Sequence, residues 1–147
     1  MRNIFRITVA ALVGLVMSLA AQAQTFNNDR GIAAKGYDVV AYFTDGKAVK
    51  GSPQFVADHG GVKWQFATAE HRDMFVADPG KYTPQYGGYC AFGVAVGGLY
   101  DVEPDTSWSV VDGKLYLNKN PDVKQTWLKD VPGNIGKAES NWPKIRK

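Results

Sequence analysis

Apolar residues along the chain fall in short runs separated by glycine, proline and aspartate, and the runs change period from one segment to the next. Tyr37-Asp38-Val39-Val40-Ala41-Tyr42-Phe43 is apolar without clean alternation, which predicts a strand buried on both faces. Asp45-Gly46 signals a turn, with Lys47-Ala48-Val49 returning beside that strand. Phe55-Val56-Ala57 and Val62-Lys63-Trp64-Gln65-Phe66 are two further strand candidates, linked through His59-Gly60-Gly61. In the second, Val62, Trp64 and Phe66 alternate with polar Lys63 and Gln65, the period of two that marks a half-buried strand. A helix is expected after Thr68, whose hydroxyl suits an N-cap, and it ends by Asp78 because Pro79 disfavours helical geometry in the residue before it.

The second half follows the same logic. Tyr86-Gly87-Gly88-Tyr89 breaks the chain, and the apolar run from Tyr89 to Val96 predicts a short buried helix. Trp108 to Val111 and Lys114 to Leu117 flank Asp112-Gly113, the clearest hairpin signal in the sequence. Asn120 before Pro121 opens a helix through about Lys129, which Val131-Pro132-Gly133 stops, and a last short helix runs toward Trp142. Strands and helices mix without regular βαβ alternation. The expected class is α+β, a small antiparallel sheet with β-hairpins packed against several short helices.

The amino terminus reads differently. Arg2 and Arg6 precede an almost unbroken apolar run from Val9 to Ala21, and Ala21-Gln22-Ala23 places small residues around one polar position. That combination predicts a cleavable secretory signal over residues 1–23, cut after Ala23, and hence a periplasmic or secreted protein. The run is shorter than the roughly 20 residues a membrane helix needs, so no stable membrane insertion is expected. Polar, aperiodic Gln24 to Lys35 is expected to be a flexible leader into a domain over residues 36–143. The formal charge is +3, and removing Arg2 and Arg6 with the signal lowers it to +1. A nearly neutral domain without a basic cluster is a poor partner for nucleic acid.

Several motifs in order carry a family likeness. Trp64-Gln65-Phe66-Ala67-Thr68-Ala69-Glu70-His71-Arg72-Asp73-Met74-Phe75, with Asp78-Pro79-Gly80-Lys81-Tyr82, resembles the YHS domain. Gly36 to Phe43, Tyr86-Gly87-Gly88-Tyr89-Cys90 and Asn141-Trp142-Pro143 are similar to an exported, single-domain branch of that group. Metal-associated YHS domains place two cysteines at the strand–helix junction. On this chain those positions are Ala67 and His71. Alanine cannot bind a metal, so the heavy-metal association of the family is not carried by that motif.

Candidate chemistry rests on few residues. Cys90 is the only cysteine, so it cannot staple its own chain, and three roles stay open: a buried apolar residue, a metal ligand, or a reactive or pairing thiol. A helix start at Cys90 would lower its pKa. His59 and His71 are the only histidines, and with Cys90 they would form a Cys-His-His set suited to copper or zinc if folding joined them. The expected function is therefore a non-catalytic metal-binding module using Cys90, His71 and His59. The alternative is a metal-independent module that binds a protein or small ligand on an aromatic-lined face. Tyr37, Tyr42, Tyr82, Tyr86 and Tyr89 are numerous for so small a domain, and buried hydroxyls among them need partners such as Asp38 or backbone. Asp101, Glu103 and Asp105 read as a solvated loop, and no serine elbow, phosphate loop or HExxH motif supports an enzyme.

Overall fold

A computed structural model describes residues 25–147; the expected signal segment lies outside the described residues. The fold is α+β, with two small, mostly antiparallel sheets and six α-helices among the described residues. The first sheet holds β1 (Asn28–Asp29), β2 (Ile32–Ala33), β3 (Ser52–His59) and β4 (Val62–Phe66), in the order β1-β2-β4-β3. Gly60 and Gly61 both take positive φ, +62° and +79°, the backbone a two-residue hairpin turn between β3 and β4 requires. β4 buries Val62, Trp64 and Phe66 and turns Lys63 and Gln65 outward, as its alternation predicts.

Residues 25–35 do not lead into the domain but belong to it. Phe26 is 2% exposed and packs edge-on against Trp64, with ring centroids 5.1 Å apart. β2 pairs parallel to β4 through Ile32 and Lys63, so this segment completes the sheet. Polar composition hid the one aromatic anchor that fixes it.

Asp38 to Tyr42 is buried and the flanking Tyr37 and Phe43 partly so, but the segment is not a strand. Val39, Val40 and Ala41 are fully buried, yet the chain turns into the short helix α1 (Ala41–Thr44). The backbone donors of Val40 and Ala41 are taken by the Asp38 carboxylate at 2.9 and 3.1 Å, which leaves them unavailable to a strand ladder. The run meets the returning segment at one isolated bridge, Tyr37 opposite Lys50, closed by Asp38 N–H donating to the Val49 carbonyl at 2.8 Å and Gly51 N–H to that of Gly36 at 2.7 Å.

α2 (Ala69–Ala77) starts where Thr68 Oγ1 accepts the His71 N–H at 3.1 Å, and α3 (Pro79–Tyr82) follows after Asp78. α4 (Ala91–Ala95) is capped by Cys90. β5 (Trp108–Val111) and β6 (Lys114–Leu117) form the expected hairpin, turning through Asp112 and Gly113 at positive φ. α5 (Pro121–Leu128) begins at the Asn120 cap, whose side chain accepts the Val123 N–H at 2.9 Å.

The last helix is longer than expected. α6 runs Val131–Ile145, so Val131-Pro132-Gly133 opens a helix as well as ending one. Asp130 accepts the Gly133 N–H at 3.1 Å, and proline in the first turn forfeits no intrahelical bond.

β6 joins two apolar clusters by the period of two. Leu115 and Leu117 face a core with Val40, Phe66, Phe75 and Tyr82, whereas Tyr116 faces a second core with Trp127, Val94 and Ala138. Among the described residues no helix is long and apolar enough to cross a membrane. Leu115 is fully buried, so Leu115→Ala should cost about 2–5 kcal/mol in urea unfolding. A loss below about 1 kcal/mol would contradict the place of Leu115 in the first core.

Candidate functional site

Asp38 is fully buried and its carboxylate gathers donors from three segments. One oxygen takes the Val40 and Ala41 N–H groups that start α1. The other takes the Ala67 N–H at 3.0 Å, at the junction of β4 and α2, and the His71 imidazole at 2.6 Å. A carboxylate accepts only, so His71 donates from Nδ1 and its proton sits there. Ala67 and His71 are the two positions that the sequence resemblance to the YHS domain would set against thiolates. Here both serve as donors to one buried oxygen.

The arrangement leaves Nε2 as the His71 nitrogen a metal could take. It stands 3.3 Å from Thr44 Oγ1 and 3.9 Å from Asp45 Oδ1. A ligating histidine often passes its other N–H to a carboxylate, so this half of the geometry would suit a metal. The donor count does not. One imidazole and one carboxylate fall short of the three or four protein ligands a zinc centre uses.

The structure does not assemble the Cys90–His71–His59 set. Among the described residues no three His, Cys, Asp or Glu side chains are grouped so as to hold a metal ion. The His59 ring lies between Phe26 and Phe75, with centroids 5.9 and 5.8 Å away, so it is an aromatic wall at the end of β3. His71 is drawn to Asp38. Cys90 is 1% exposed and held by other partners: its thiol donates to Asn118 Oδ1 at 3.6 Å and accepts the Gly93 N–H at 3.4 Å. Sequence spacing could not reveal this separation, because each residue is held by a partner distant in the chain. The copper or zinc expected from these residues finds no matching donor set here.

Comparison with protein-family models, curated proteins and solved structures finds no match for this chain. What the molecule can do must be read from its own surfaces.

Burial pushes the Cys90 thiol above its ordinary pKa, and it outweighs the opposing backbone N–H groups of Gly93, Lys119 and Phe92 and the Lys119 charge. The helix start expected to activate the thiol is present, but desolvation wins. Asn118 holds this corner together, since its Oδ1 also accepts the Phe92 N–H at 3.1 Å.

Above Cys90 a groove of about 170 Å³ opens among Phe92, Val96, Tyr100, Lys119 and Val123. Its walls are almost wholly apolar, and Val96 and Tyr100 are exposed at 62% and 46%. A methyl group at Gly93 or Gly98 would come within 2.5 Å of the Tyr100 ring, so two glycines let the phenol lie against α4. The Lys119 ammonium stands 5.7 Å from that ring, and among the described residues no carboxylate lies within 4.0 Å of it. Sequence reading singled out neither Tyr100 nor Lys119. The usable signal was an aromatic beside Gly97-Gly98, a segment with little reason to be apolar otherwise.

The thiol reading is checked by chemistry. Cys90 should alkylate with iodoacetamide at pH 8 at least about a hundredfold more slowly than a free thiol, because the folded state withholds the thiolate. The linkage has a definite sign: the folded pKa is raised, so its contribution to stability is complete below the unfolded thiol pKa and declines as pH climbs from there toward the folded value. The alkaline fall in urea stability should therefore be shallower in Cys90→Ala than in the parent chain. Alkylation at the free-thiol rate would contradict both statements.

Proposed function

We propose that this chain is an exported, YHS-like binding module that works without a metal and takes a small apolar molecule bearing a carboxylate. The groove over Cys90 is the observation that carries this reading. Pockets for small ligands combine mostly apolar walls with one or a few polar groups that set orientation. Here Phe92, Val96, Tyr100 and Val123 supply the walls and the Lys119 ammonium supplies the polar group. A cavity near 150 Å³ accepts a molecule the size of benzene, so a groove of about 170 Å³ fits one ring or a short chain. Desolvating the Val96 and Tyr100 side chains drives binding, and the carboxylate fixes which end faces Lys119.

The likeness to the YHS group is supported by the ordered motifs from Gly36 to Pro143, and export by the charged, apolar and small-residue sequence of residues 1–23. Neither requires a metal. The acid–base chemistry of an enzyme finds no support at the groove, where the thiol is sealed and no imidazole is among the lining residues.

Octanoate and octanol separate the two parts of the site in nitrogen-15 chemical-shift mapping, with a chelator present throughout. Both should perturb Phe92, Val96, Tyr100 and Val123. Lys119→Glu should weaken octanoate about tenfold and leave octanol within about twofold, whereas Tyr100→Ala should weaken both. Shifts that map elsewhere, or that require added zinc or copper, would overturn the reading.

A further inference from the structure

The segment after α3 carries a strained residue, Tyr86, whose ring packs into the second core beside Tyr116 and which does not line the groove. Tyr86 adopts φ 55° and ψ 42°, followed by Gly87 at φ 61° and ψ 16°. Glycine tolerates that backbone, but a bulky side chain in the left-handed region costs about 1–3 kcal/mol, and such strain persists where surrounding structure holds it. The strain has a visible result. It turns the buried phenol so that its hydroxyl donates to Glu139 Oε1 on α6 at 3.1 Å.

Burial raises the Tyr86 hydroxyl far above its ordinary pKa, and Glu139 adds to the effect. The phenol therefore keeps its proton and remains a donor. Glu139 is held at one oxygen by that bond, and among the described residues no lysine, arginine or histidine lies within 4.0 Å of it. Trp142 follows three residues later on the same face of α6. Its ring meets that of Tyr86 at 64° with centroids 6.1 Å apart, an edge-to-face contact in which the buried Tyr86 supports the Trp142 indole. Pro84 and Gln85 close the concavity, about 260 Å³ in volume and predominantly polar, and Glu139 is the one charged side chain lining it.

We propose that the corner formed by Trp142, Tyr86 and Glu139 is a binding site for a small organic ammonium ion. Aromatic faces attract a cation through their quadrupole, tryptophan most strongly, and a fixed carboxylate adds charge attraction. A bare divalent metal suits the corner poorly, because hard cations require several oxygen ligands and only one carboxylate is present. An alkylated ammonium ion needs none of them; its methyl groups rest on the Trp142 indole while its charge faces Glu139. The groove over Cys90 carries the opposite charge preference, so the two sites can be tested separately.

Tetramethylammonium is the probe, with potassium and neutral 3,3-dimethylbutan-1-ol as controls of charge without methyl groups and methyl groups without charge. Titration should shift the Trp142 indole resonance and change tryptophan fluorescence with tetramethylammonium alone. Glu139→Gln keeps an acceptor for the Tyr86 hydroxyl, so the fold should survive while affinity drops about tenfold. Trp142→Leu should lose the response, with its unfolding midpoint showing that the chain still folds. An equal response to the neutral alcohol or to potassium, or an unchanged affinity in Glu139→Gln, would overturn the proposal. So would the absence of any shift at millimolar tetramethylammonium.

Discussion

The fold depends on one buried carboxylate. Asp38 has no exposed surface, and a charge in that position is tolerable only when donors replace the water it has lost. Four N–H groups do so, from Val40, Ala41, Ala67 and His71. Together they bind the start of α1, the end of β4 and the first turn of α2 to one point. The same four bonds explain why an apolar run turns instead of extending, and why His71 points inward.

The other polar candidates are likewise taken up inside the molecule, each by its own partner. Residues that looked available for ligation are used internally: His71 by Asp38, Cys90 by Asn118 and Gly93, and His59 by the aromatic stack between Phe26 and Phe75. What stays open lies farther along the chain, around α4 and α6. The groove over Cys90 offers apolar walls with a lone ammonium, and the Trp142 corner offers an aromatic face with a lone carboxylate. In each case one charge without an ion-pair partner among the described residues stands beside apolar or aromatic surface, the combination on which the proposed ligand readings rest.

Local signals read well wherever one residue decides the structure. Thr68 and Asn120 cap α2 and α5 as their side chains predict, and Asp112-Gly113 turns the second hairpin at its expected place. Signals failed where a distant partner decides. The Asp38 carboxylate overrode the strand pattern of Tyr37 to Phe43, and Phe26 drew a polar segment into the sheet by reaching Trp64. The buried tyrosine hydroxyl of Tyr42 found a backbone carbonyl, that of Pro104, 62 residues away, as the need for a partner predicts. Site residues were harder still. A lone cysteine and two histidines define a metal site only if folding joins them, and spacing carries no information about that.

The Asp38 knot is tested most directly by a double-mutant cycle in urea, using Asp38→Asn and His71→Gln singly and together. The account predicts that Asp38→Asn alone costs about 3–5 kcal/mol, because it removes the charge that its buried donors face. It also predicts strong non-additivity, with a coupling above about 1 kcal/mol between the two positions. Additive losses, or an Asp38→Asn variant within about 1 kcal/mol of the parent chain, would contradict it.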